Sequence, residues 1–136
     1  MAEISRTTAT LRLFGDDLDP DMVSALLGAQ PTHSSRKGEA RRSKSGPLVA
    51  KTGSWLLSAS DQSPGDLEAQ IERLLAGLTS DLEVWSDLGR RFRIDIFCGL
   101  FMEDGNEGLV LSPRVLGALG ERGMEVSLDI YRPTED

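Results

Sequence analysis

The sequence predicts an α+β fold, a two-layer sandwich with helices on one face of a sheet, and three observations predict it. Several segments alternate apolar and polar residues with the period of a strand, the longest being Phe92 to Met102. Others repeat apolar residues every three to four positions, as in Leu67, Ile71, Leu74 and Leu78. Finally, Leu18-Asp19-Pro20-Asp21-Met22-Val23-Ser24-Ala25-Leu26 is echoed by Leu111-Ser112-Pro113-Arg114-Val115-Leu116-Gly117-Ala118-Leu119, each copy following an acidic, Gly-containing turn. The echo implies two pseudo-duplicated β-α-β halves in a ferredoxin-like arrangement, with a helical insertion over about 66–89 between them. A cap followed by proline is also the commonest way to begin a helix, so the echo has a plainer reading as well.

In order, Ala9 to Phe14 is the first strand, with Leu11 and Leu13 on one face and Thr10, Arg12 and Phe14 on the other. Asp19 caps a helix that starts at Pro20, where the missing N–H costs nothing, and Gly28 and Pro31 stop it. The stretch 32–52 is polar and basic, punctuated by Gly38, Gly46 and Pro47. It reads as a long basic loop, with room for a short edge strand at Leu48-Val49. Ser54 to Ser58 is a strand and Ser60 to Gly65 a loop. The helical stripe from Leu67 to Leu88 breaks near Thr79, because Ser80-Asp81-Leu82-Glu83 has the form of a capping box that starts a second helix.

Phe92, Ile94, Ile96, Cys98, Leu100 and Met102 then face the core, with Arg93, Asp95, Phe97 and Phe101 opposite. Ser112 and Pro113 open a last helix that Gly123 closes. In the final strand Met124, Val126, Leu128 and Ile130 are expected in the core, and Glu125, Ser127, Asp129 and Tyr131 on the other face. The whole of 1–136 forms one domain, with 1–7 and 133–136 expected to fray.

A chain of 136 residues buries roughly two thirds of its unfolded surface, enough to fold without a staple. Its net charge of −7 disfavours nucleic acid and anionic membrane as partners. The single Cys98 precludes an intramolecular disulfide. The N-terminal residues lack the apolar core of a secretion signal, and no apolar run approaches membrane-spanning length, so a cytoplasmic location is expected.

Chemistry-bearing patterns are few. Asp16, Asp17 and Asp19, then Glu103, Asp104, Asn106 and Glu107, offer oxygens for a cation but lack EF-hand spacing. They would also lie at opposite ends of the sheet, so solvated turns and helix caps explain them better. One histidine, His33, and one mid-strand cysteine make neither a nucleophile–base pair nor a zinc set. No catalytic residue, metal or cofactor is expected.

Two surfaces remain. Six cations, Arg36, Lys37, Arg41, Arg42, Lys44 and Lys51, stand against Glu39 alone between positions 36 and 51, and Arg36-Lys37-Gly38 could cradle an anion. Such charges also serve as a solvated loop that meets the acidic remainder of the chain. The second surface is the sheet face turned from the helices, where Arg12, Phe14, Asp95, Phe97, Phe101, Asp129 and Tyr131 project. Trp55 or Leu56 joins them, depending on register. Charged residues beside aromatics suit a partner surface. Cover by the insertion helices or by a second copy is the competing expectation.

A set of blocks in fixed order carries a resemblance. They are Thr10-Leu11-Arg12-Leu13-Phe14-Gly15-Asp16-Asp17-Leu18-Asp19-Pro20, Pro31-Thr32, Arg36-Lys37-Gly38, Gly53-Ser54-Trp55, Gly108-Leu109-Val110-Leu111-Ser112-Pro113 and Asp129-Ile130-Tyr131. Together they resemble the bacterial domain-of-unknown-function family numbered forty-two seventy-nine, over nearly the whole chain. The resemblance implies a small stand-alone bacterial domain and transfers no activity, cofactor or catalytic residue. From the residues themselves, the expected function is non-catalytic binding of a protein partner or of a second copy. The alternative is a sensor or enzyme for a small anionic metabolite. It would use Lys37, Arg41 and Arg42 for the anion and Asp95 or Asp129 as acid or base.

Overall fold

The computed structural model describes residues 2–134. Along the chain run β1 (Ala2–Glu3), β2 (Arg6–Gly15), α1 (Pro20–Leu27), β3 (His33–Ser35), β4 (Ala40–Ser43), β5 (Gly46–Val49) and β6 (Gly53–Ser58). These are followed by α2 (Leu67–Ala76), α3 (Leu82–Arg91), β7 (Arg93–Phe101), β8 (Glu107–Gly108), α4 (Pro113–Glu121) and β9 (Glu125–Tyr131). An open five-stranded sheet has the order β3-β6-β2-β7-β9. Only β7 and β9 run parallel; the other neighbours are antiparallel. Two small ribbons stand outside it, β1 with β8 and β4 with β5.

Each helix starts where a short polar side chain satisfies a backbone donor the helix cannot. Asp19 accepts from Asp21 N–H, Asp66 from Ala69, Asp81 from Glu83 and Ser112 from Val115. The insertion is therefore two helices, as the capping pattern predicts, although the cap is Asp81 rather than Ser80. Between them Thr79 donates its N–H to Leu27 O and accepts from Trp85 Nε1, which ties the break to the end of α1. Gly28 closes α1 in the left-handed region at φ 77°, where other residues are strained.

The core lies between the helices and one sheet face. Leu11, Leu13, Trp55, Ile94 and Ile96 meet Val23, Leu27, Ile71, Leu88, Val115 and Leu119, all of them buried. Each such aliphatic side chain contributes roughly 1.5–3 kcal/mol. Among the described residues, no helix is long and apolar enough to cross a membrane.

Several expectations need correction. The long basic loop 32–52 is structured: it supplies β3 to the sheet edge and then folds back on itself as the β4–β5 ribbon. Gly38 lies in a turn, whereas Gly46 and Pro47 are paired within β5, which contains the short strand expected at Leu48-Val49. The segment 1–7, expected to fray, contributes β1, paired with β8, and the beginning of β2, paired with the end of β7, among the described residues. At the other end Pro133 and Thr134 lie outside any element, and 135–136 fall outside the described residues. In the final strand Met124 is buried, but Val126, Leu128 and Ile130 are not. Their alternation places them correctly on the helix side, yet β9 is the outermost strand and the helix layer leaves them in water. In both halves the strand after the helix runs parallel to the strand before it, but β9 lies directly beside β7 whereas β6 separates β3 from β2. The topology is a mixed α+β fold with an open five-stranded sheet, and it does not confirm the pseudo-duplicated ferredoxin-like arrangement.

Candidate functional site

The sheet face away from the helices is built in rows, because paired residues on neighbouring strands project to the same side. Leu56, Arg12, Asp95 and Glu125 form one row across β6, β2, β7 and β9. Thr10, Phe97 and Ser127 form the next. Thr8, Gly99 and Asp129 follow, and Arg6, Phe101 and Tyr131 close the array.

At its centre Arg12 grips Asp95 with two parallel bonds, Nε to Oδ1 at 2.8 Å and Nη2 to Oδ2 at 2.6 Å. Ser127 donates to Asp95 Oδ2 at 2.9 Å. Asp95 is only 2% exposed. Burial by itself would raise its carboxyl. The hydrogen bonds from Arg12 and Ser127, with the positive charges of Arg12 and Arg93, outweigh that and hold it below the ordinary carboxylate value. The Arg12 guanidinium lies 4.4 Å from the centre of the Phe97 ring and 5.2 Å from that of Phe14, so the charged group is flanked by aromatic faces.

A second cluster sits at the far end of the face. Arg6 lies 3.7 Å over the Phe101 ring, and Phe101 stacks on Tyr131 with centres 4.4 Å apart and planes 3° from parallel. Tyr131 donates its hydroxyl to Asp129, and that bond, followed by burial and the carboxylate charge, raises the phenol above its ordinary value. Gly99 makes room for the cluster: a Cβ there would come within 2.5 Å of Thr8 Oγ1 and 3.0 Å of the Phe101 ring.

The structure thus brings Arg12, Phe14, Asp95, Phe97, Asp129 and Tyr131 onto one face that no helix among the described residues covers. Trp55 is not among them. It points into the core, fully buried, with its Nε1 donating to Ser24 Oγ of α1 at 3.0 Å, and Leu56 takes the outward position. The register Leu13↔Trp55 decides this, and the sequence of β6, with Trp-Leu-Leu in a row, carries no alternation from which to read it. Arg6 and Gly99 complete the face unanticipated, and Ser127, expected on the outward side of the last strand, joins it as a partner of Asp95. The signal for Arg6 is the β-branched Thr7-Thr8 run, which continues the alternation of β2 backwards to a position sharing Arg12's face.

The basic residues lie elsewhere and divide into two groups. Arg36 pairs with Asp19 at 2.9 Å and Asp21 at 3.2 Å, and Lys37 with Asp16 at 3.1 Å. Hydrogen bonds from Lys37 and then Thr52 hold the Asp16 carboxyl below its ordinary value. These two cations are therefore spent within the chain. Arg41, Arg42, Lys44 and Lys51 are exposed on or beside the β4–β5 ribbon, with no acidic partner among the described residues. Successive ribbon residues point to opposite sides, so Arg41 and Arg42 do not converge on one ligand.

Cys98 is buried mid-strand, where burial and then the Asp95 charge push its thiol up to about 12. A nucleophilic thiolate is not available there at neutral pH. A cleft of about 440 Å³ opens at the start of α2, bordered by Glu3, Ile4, Asp66, Glu68 and Val110. Its charged residues are all acidic, and it lies on the helix side of the sheet, away from both surfaces above.

A family model described as a domain of unknown function, DUF4279, matches residues 5–133. No curated protein and no solved structure matches the chain.

Proposed function

The chain belongs to the DUF4279 family, a domain of unknown function, and we propose from its geometry that it is a non-catalytic protein-binding module whose partner sits on the open sheet face. The Arg12–Asp95–Ser127 cluster, set against Phe97 and Phe14, carries this reading. Its side chains are held in place by one another before any partner arrives, so little rotamer entropy remains to be lost on binding. Arginine and aromatic rings at the centre of a face are the groups that dominate protein–protein affinity. Binding is favoured over turnover because both Asp95 oxygens are occupied and the carboxyl is held ionised, so it has no proton to give and is a weakened base for taking one.

The alternative, a sensor or enzyme for a small anion at Lys37, Arg41 and Arg42, is the weaker reading. Lys37 is engaged by Asp16, and the two arginines diverge.

The test is co-expression of the tagged chain with the proteins encoded beside its gene. A partner is expected to co-purify with the unaltered chain and with an Arg41→Glu/Arg42→Glu variant, and to be lost from Phe97→Asp at unchanged melting temperature. Retention by a folded Phe97→Asp protein, or loss only from the ribbon variant, overturns the reading.

A further inference from the structure

We infer that the free edge of β9 pairs antiparallel with β9 of a second copy, joining two five-stranded sheets into one. β9 is the outermost strand and is bonded to β7 on one side only. The additional backbone bond at its end, Met102 N–H to Tyr131 O, also lies on that side. Alternate N–H and C=O groups along the other side have no backbone partner among the described residues, which makes them a template for another strand.

Natural sheets blunt such edges with short strands, lysine, proline, bulges or inward-pointing charge. The opposite edge does so: β3 is three residues of His-Ser-Ser. By contrast β9 is seven residues long, with no lysine or proline within it. It presents Val126, Leu128 and Ile130 to water at 38%, 52% and 58% exposure on the helix side.

Charge, face and the length of strand paired together select one pairing, since centres on Val126 or Ile130 oppose no like charges but pair only three residues of β9. Opposed residues must share a face, so the antiparallel register shifts in steps that keep the centre on a residue. Centred on Asp129, the pairing sets Asp129 against its own copy. Centred on Ser127, it sets Glu125 against Asp129 of the other copy. Like charges directly opposed destabilise both. Centred on Leu128, it sets Leu128 on Leu128 and Val126 on Ile130 on the apolar side, with Ser127 on Asp129 and Glu125 on Tyr131 on the other. No like charges meet, and the apolar stripe covers itself. A self-complementary patch of this kind is what a two-fold dimer requires, so the occupant is a second copy rather than an unrelated strand. The inference goes beyond the open-face reading and does not depend on it, since Phe97 lies outside the pairing.

Light scattering and cysteine coupling test it. At high concentration the full chain is expected at twice its chain mass, falling on dilution because the interface is small. Leu128→Asp is expected at chain mass with its circular dichroism unchanged, the site being half exposed. In a Cys98→Ala background, needed because Cys98 is itself opposed to Leu128 across β7 and β9, Leu128→Cys is expected to couple to its copy under mild oxidation, since directly opposed strand positions are within disulfide reach. Val126→Cys is expected not to couple, as its two copies would stand about 13 Å apart, whereas Val126→Cys/Ile130→Cys is expected to couple. Chain mass at every concentration overturns the inference. So does a doubled mass that survives Leu128→Asp, or equal coupling at 126 and 128.

Discussion

Asp95 and Arg12 are interdependent. A carboxylate removed from water is tolerated because a bidentate guanidinium and the Ser127 hydroxyl replace its hydration. The exposed pairs, such as Arg90–Asp87 on α3, are screened by solvent and contribute little. Arg12→Ala is therefore expected to cost about 3 kcal/mol in urea unfolding, because it strands a buried charge. The pH dependence has a definite sign. The Asp95 carboxyl is held below its ordinary value, so its contribution is complete at neutral pH and fades as acid protonates it, below about pH 4. Without Arg12, burial raises that carboxyl instead and its charge becomes a liability that acid relieves. The stability gap between the two proteins is thus expected to narrow as pH falls from about 7 towards 4. A gap that stays constant or widens would show that Arg12 acts through packing and not through Asp95.

Among the elements, β2 and β6 are brought together most tightly at their ends. Gly53 opens β6 directly beside Gly15, and a Cβ at position 53 would lie 2.7 Å from Gly15 O, 2.9 Å from Leu18 Cβ and 3.0 Å from Leu18 O. Two of these three atoms are backbone and cannot swing aside as a long side chain would. Gly53→Ala is accordingly expected to destabilise the protein by about 1–3 kcal/mol, read from its melting curve. Gly89→Ala, with nothing near its added methyl and a place inside α3, is expected to be neutral or slightly stabilising. The pair separates a steric requirement from the general cost of altering a glycine.

Over the whole molecule, charge is distributed unevenly. The chain carries −7, yet the β4–β5 ribbon holds several unpaired cations and keeps Leu48 and Val49 largely in water. The ribbon pairs only with itself, so opening it disturbs no core residue. Limited trypsin digestion is expected to cut first at Arg41, Arg42 or Lys44, and the two fragments are expected to stay associated through the β2–β6 pairing, eluting together until denatured. First cleavage at Arg12 or Arg93 would contradict the rigidity ascribed to the open face.

Local chemistry is read directly from the sequence. Caps at Asp19 and Ser112, the break between α2 and α3, the alternation of β7, and the common face of Arg12, Asp95, Phe97 and Asp129 all follow from periods and side-chain hydrogen bonding within a few residues. Neighbours across space are another matter. That Trp55 turns inward, that the stretch around Arg41 forms a ribbon, and that Arg36 and Lys37 are neutralised by Asp19, Asp21 and Asp16 depended on register and on which segments meet. The same holds for β9. Alternation told which side Val126, Leu128 and Ile130 take, but only the strand order determined that they lie at an edge with nothing over them. Periodicity is a property of one segment, whereas burial belongs to at least two, and the second is chosen by the packing of the whole chain.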